Sequence, residues 1–242
     1  MVIMKFSIKR KGNSQLEKSF IKKAWSTFLI MLAIAILSPT IQAQEKENDF
    51  TARKAFETLH CSALEILPPS SRLDMLDYWD VDSVYKVSNA MDGLSWLENV
   101  NPEYLKVRIS SASTLEFRIL PTKKDVILMT VYTIGDDVQA MDSEVRFYNR
   151  QLQELETNKY FELPNVKDFF EIPKGSATKM KEIEGMIPFP TICVTAFPDN
   201  DNLEARLTVD QYMNQDDWNI AKLFLKPHIT FQWKNDKYKL TK

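Results

Sequence analysis

"YLKVRISSASTLEFRILPTKKDVILMTVYTIGDDVQAMDSEVRFYN", residues 104–149, decides the fold. Within it "YLKVRIS", "STLEFRIL", "DVILMTVYTI" and "SEVRFYN" are short runs rich in β-branched and aromatic residues, parted by brief polar breaks. Parallel neighbours need a crossover of a dozen or more residues, so connections this short imply antiparallel pairing. Upstream, "VDSVYKVSNA" and "LSWLENV" flank Asp92-Gly93, a dipeptide suited to a tight hairpin, and downstream "QLQELE" supplies a seventh strand. Seven sequential strands predict an antiparallel meander, a curved sheet or half-barrel.

Helical spacing over "FTARKAFETLHCSALEI", residues 50–66, predicts a helix that Pro68 and Pro69 end. A second helix is expected over "SSRLDMLDYWDVDS", residues 70–83, with Ser71 and Asp74 as a capping box. Its buried stripe would be Leu73, Leu76 and Tyr78 or Trp79. Helices packed on a meander make the class α+β.

From Pro164 the texture changes to short helical pieces starting at Asn165 and Ser176, with Gly185 as a stop. Two strands, "PTICVTAF" and "NLEARLTV", a helix in "NQDDWNIAKLFLK" and a hairpin in "HITFQWKNDKYKL" close the chain. "LEFRI" at 115–119 has a counterpart in "LEARL" at 203–207, and "VRFYNRQLQEL" has one in "ITFQWKNDKYKL", a weak internal duplication.

Residues 1–43 read as a signal peptide: a basic leader, the 15-residue apolar run "AWSTFLIMLAIAILS", then "PTIQAQ" with cleavage after Ala43. The run is short of the roughly 20 residues of a membrane span, and the membrane is expected to be met only through this segment before cleavage. Residues 44–242 are then a single α+β domain with a candidate subdivision near 164–185. Removing the leader's seven basic residues and its one acid, Glu17, leaves 24 basic and 32 acidic side chains, about −8 in charge, which argues against nucleic-acid binding. The cysteines, Cys61 and Cys193, admit two readings in an oxidising compartment, a disulfide or two buried free thiols.

The chain carries no G-x-S-x-G elbow, no C-x-x-C, no H-E-x-x-H and no glycine-rich phosphate loop, so no catalytic residue, metal site or cofactor is expected. Asp74, Asp77, Asp80 and Asp82 crowd one stretch, but a calcium loop starting at Asp80 would put Val84, Tyr85 and Met91 where Asp, Gly and Glu are needed. Helix capping and turn formation account for these acids more plainly. "IGDDVQAMDSE" and "AFPDNDN" are further acidic loops of the kind that can hold a cation but are more often solvated.

The blocks "LPPSSRLDMLDY", "VSNAMDGLS", "STLEFRILP", "DSEVRFYN" and "ITFQWKNDKY" together resemble an exported family of unknown function from gut-dwelling Gram-negative bacteria, over about residues 50–240. The resemblance implies a periplasmic, cell-surface or secreted location and one shared architecture, with no activity to carry over. "RLDMLD" is its hallmark, making Arg72, Asp74 and Asp77 the interaction candidates, as a salt-bridge network or a site. The expected function is non-enzymatic binding of an unknown protein or envelope component. The alternatives are a carrier of an apolar, lipid-like ligand in a curved-sheet cavity and, behind it, a carboxylate hydrolase. A filled face at Val107, Ile109, Leu128, Val131 and Phe147 separates the binder from the carrier.

Overall fold

Alternation along the meander sets the layers. In the computed structural model, which describes residues 50–81, 85–136, 138–173 and 176–241, the seven expected strands pair in sequence order as one antiparallel sheet. They are β1 (Val87–Ser88), β2 (Leu94–Val100), β3 (Tyr104–Ser110), β4 (Ser113–Pro121), β5 (Val126–Ile134), β6 (Asp142–Tyr148) and β7 (Glu154–Leu155). The expected signal segment, Asp82 and Asp137 lie outside the described residues. Among those described, no helix is long and apolar enough to cross a membrane.

Odd positions of β3 and β4, namely Leu105, Val107, Ile109, Leu115, Phe117 and Ile119, pack against α1 (Ala52–Thr58) and α2 (Pro69–Asp80) in one core. The opposite face of β5 and β6, with Met129, Val131, Val145 and Phe147, forms a second core against a four-stranded antiparallel sheet. That sheet has the order β11-β10-β9-β8, from β8 (Ile192–Phe197), β9 (Asn200–Leu207), β10 (Ile229–Trp233) and β11 (Tyr238–Leu240). Helices α3 (Ala177–Met186) and α4 (Gln215–Ala221) accompany it, and Phe50–Lys242 make one compact unit. The duplicated "LEFRI" and "LEARL" fall in β4 and β9, but β5 stands between β4 and β6 whereas β9 pairs with β10 directly.

Two local expectations change. The helix expected over 50–66 ends at Thr58: Leu59 is extended, and a 3-10 turn follows at Ser62–Leu64. The buried Arg72 guanidinium accounts for the stop, because Nη1 donates to Phe56 O (2.6 Å) and Leu59 O (2.9 Å), carbonyls that the helix end leaves open. The capping box at Ser71 and Asp74 is not formed, since α2 begins two residues earlier with Pro69 in its first turn and no side-chain cap. Proline suits that position because its missing N–H has no helical partner there. The buried stripe is consequently Arg72, Met75 and Leu76, with Trp79 half-buried and Leu73 exposed.

Candidate functional site

β8 is an edge strand of the second sheet, and the way it is sealed builds a cleft between the sheets. Its outward N–H groups meet side chains of the meander rather than another strand. Ile192 N–H donates to Asp142 Oδ1 (3.1 Å), Val194 N–H to Ser143 Oγ (2.9 Å) and Ala196 N–H to Glu116 Oε2 (2.7 Å). Beyond them, Arg118 Nη1 donates to Pro198 O (3.0 Å) while Nε and Nη2 hold Asp201 Oδ1 (3.1 and 2.7 Å). A bare strand edge is a template for further pairing, and this capture blunts it.

Running from β6 towards β3, β8 leaves part of the meander uncovered. There Glu98 pairs with Arg108 (2.9 Å), and Lys106 lies between Glu98 (3.6 Å) and Glu116 (3.4 Å). Between this ladder and β8–β9 opens a cleft of about 290 Å³, lined among others by Lys106, Arg108, Glu116, Cys193, Thr195 and Arg206. Arg206, half-buried, reaches only Met141 Sδ (3.7 Å) among the described residues. Gly135, at the rim, has φ +107, and a Cβ there would stand 2.4 Å from Ala140 O, so the turn that closes the cleft demands glycine.

Glu116 is 5% exposed, and burial raises its carboxyl pKa against the opposing pull of Lys106 and the Ala196 N–H. Burial, reinforced by the Glu116 charge, likewise pushes the Tyr104 pKa up. A buried acid with a cation beside it, in a cleft, is the pattern of a functional group, although here its first task is to hold β8. Sequence reading passes over Glu116, Arg118 and Arg206 because each alternates with apolar neighbours as a solvated strand face does. The one available signal is that all three interrupt strands as charged residues flanked on both sides by apolar ones.

The predicted residues part company. Arg72 is 2% exposed and borders a second cleft of about 430 Å³ at the connection from α1 to α2, with Leu59, Cys61, Leu64, Leu67 and Pro68. Asp74 and Asp77 stand exposed and line neither this cleft nor the inter-sheet one, so no Arg72–Asp74–Asp77 network forms. Among the described acids of this stretch the one that pairs is Asp80, with Arg53 (2.6 Å), and that guanidinium holds its carboxyl below the usual range. Both cysteines are free, which corrects the disulfide reading. The meander stands between them: Cys61 packs into the core on its helical face and Cys193 lies on β8, over the other face. A sheet layer is about 10 Å thick, and a bridge requires Cα atoms within about 7 Å.

The acidic loops have local duties. Asp136 accepts the N–H groups of Val138 and Gln139 (both 2.9 Å), Asp142 takes that of Ile192, and Asp201 serves Arg118. Among the described residues no cluster of three or more His, Cys, Asp or Glu is placed to hold a metal.

No curated protein matches the chain. Among solved structures it is similar to "Structure of a domain of an uncharacterized protein from Porphyromonas gingivalis W83", with TM-score 0.66 and 18% identity over 78% of this chain and 96% of that one. At that identity the likeness carries the fold. Residues 41–238 match the family described as "Protein of unknown function (DUF3256)", and the chain belongs to that family.

Proposed function

We propose that this protein is exported, loses its leader near Ala43, and works in the periplasm or at the cell surface by binding rather than by catalysis, engaging an acidic group of a protein or envelope component. The observation that carries this reading is the inter-sheet cleft, where Lys106, Arg108 and Arg206 line one opening and Arg206 has no carboxylate among the described residues. An unpaired guanidinium at a cleft is suited to bidentate capture of a carboxylate or phosphate. The filling of both faces of the meander supports a binder over a carrier, since Val107, Ile109 and Leu128 on the helical side and Val131 and Phe147 on the other are all 0% exposed. A lipid-like ligand would have to displace that packing.

The test is affinity capture from solubilised envelopes with wild type and Arg206→Glu, whose melting curves should coincide. We expect an acidic component on the wild type, released as salt screens the contact, and at least about tenfold less on the variant, the loss that a charge-assisted pair implies. Edman sequencing of the envelope-borne protein should begin at Gln44. Equal capture by both forms, or a cytoplasmic protein that retains Met1, overturns the reading.

A further inference from the structure

The two buried arginines use their guanidinium groups alike, up to a point. Arg118 directs Nη1 to two carbonyls, Phe197 O (3.4 Å) and Pro198 O (3.0 Å), and gives its Nε–Nη2 edge to the Asp201 carboxylate. Arg72 likewise directs Nη1 to two carbonyls, Phe56 O and Leu59 O. Its Nε, sealed from solvent, has no acceptor, and Arg72 forms no ion pair among the described residues. Burying a cation without an anion costs several kcal/mol, and the carbonyls, the end of α1 and the Phe56 ring at 6.0 Å offset only part of that. Burial accordingly pulls the Arg72 pKa down.

We propose that the cleft lined by the 59–69 connection and the first turn of α2 binds a small apolar monocarboxylate, the carboxylate resting on Nη2 of Arg72, the guanidinium nitrogen that is neither sealed nor bonded among the described residues. Three observations meet there. The cavity, about 430 Å³, falls in the range of small-molecule sites. Away from the arginine the lining is apolar at Leu59, Leu64, Leu67, Pro68 and Pro69 and polar at His60 and Ser62, so the ligand's body must be apolar where it meets the leucines and prolines. Glu65 lines the cleft and is exposed, where it repels a second negative charge and so favours one carboxylate over a diacid. Such a group could belong to a free fatty acid or to the C-terminus of a chain ending in an apolar residue. The site is separate from the inter-sheet cleft and stands or falls without it.

Cys61 reports on occupancy, because it lines this cleft and is half-buried, whereas Cys193 is buried elsewhere. The purified full chain is alkylated with N-ethylmaleimide and each cysteine is followed by mass spectrometry, with Cys193 as the internal control. Octanoate is compared with octanamide, and acetyl-leucine with acetyl-leucinamide. The expected result is that at least one acid slows Cys61 alkylation about fivefold at about 80% occupancy, while its amide does not. Octanoate alone acting identifies the free-acid source, acetyl-leucine alone the chain terminus, and either sustains the proposal. In Arg72→Lys, which keeps the charge but loses the fork, protection should need about tenfold more ligand. Should that variant fail to fold, the acid–amide comparison on wild type still decides. Protection by neither acid, or equal protection by acid and amide, overturns it.

Discussion

On the helical side of the meander, Leu105, Val107, Phe117 and their neighbours meet Phe56, Leu67 and Met75 side chain to side chain, and Arg72 is the lone buried charge. On the other side the apolar contact is carried mainly by β5 and β6, and β8 itself is held by polar capture, with Glu116 and Arg118 of β4 and Ser143 of β6 binding its backbone and the turn that follows it. The difference is one of sensitivity. Apolar packing fails by leaving cavities, and its loss is large and indifferent to pH and salt. Polar capture fails by leaving donors and charges unpaired, and its loss depends on what the freed groups can reach.

Phe117→Ala is the heaviest blow to the helical side. The ring is fully buried and lies edge-on to Phe56, with centroids 5.7 Å apart. Urea unfolding should show a loss of about 3–5 kcal/mol, unchanged by salt. A loss below about 1 kcal/mol would mean the helices are not packed through this face. Arg118→Met strikes the polar side. It removes one of the two donors to Pro198 O, which keeps Asn101 Nδ2 (3.3 Å), and takes away the partner of Asp201, whose side chain is 32% exposed and so can turn to water. The expected loss is about 2–3 kcal/mol, less than for Phe117. In a double-mutant cycle with Asp201→Asn, about 1 kcal/mol or more should appear as coupling, and strict additivity would show that the pair does not hold the sheets together.

The two sides also differ in how they show in the sequence. The meander was readable because its helical face repeats apolar residues every second position from Leu105 to Ile109 and again from Leu115 to Ile119, and the hairpin expected at Asp92-Gly93 forms with a longer connection, residues 89–93, in which Asp92 takes the left-handed conformation (φ 59). Asn165 with Asp168 forms the capping box its spacing suggests, while Ser71 with Asp74, equally well spaced, does not, because Pro69 had already begun α2. Glu116 and Arg118 were unreadable for a different reason. Alternating with Leu115, Phe117 and Ile119, they look like the wet face of a strand, and what covers them comes from residues about 80 positions later, with Ala196 bonded to Glu116 and Asp201 to Arg118. The same holds for Arg72, which spacing put beside Asp74 and Asp77 but whose partners are carbonyls of α1 and of the residue that ends it.

Glu116→Gln gives the smallest effect and the sharpest distinction between the sides. Glutamine can still accept the Ala196 N–H through its amide oxygen, so the substitution removes a charge and little else. Because burial raises the folded-state pKa of Glu116, the folded protein holds its proton more tightly than the unfolded chain does. Below the ordinary carboxyl pKa of 4.5 both states are protonated, and wild type and variant should melt within about 0.5 kcal/mol of each other. As pH rises above that value the unfolded chain ionises first, and wild type loses stability relative to Glu116→Gln until the folded pKa is passed. Beyond it the gap stays constant. Thermal melts of the two proteins across this window should therefore diverge with rising pH, the glutamine form being the more stable at neutrality. Phe117→Ala, melted alongside, should hold a constant deficit throughout. A pH-independent difference between Glu116 and Gln would mean that Lys106 and the β8 N–H fully compensate the buried charge, and that polar capture costs the fold no more than apolar packing does.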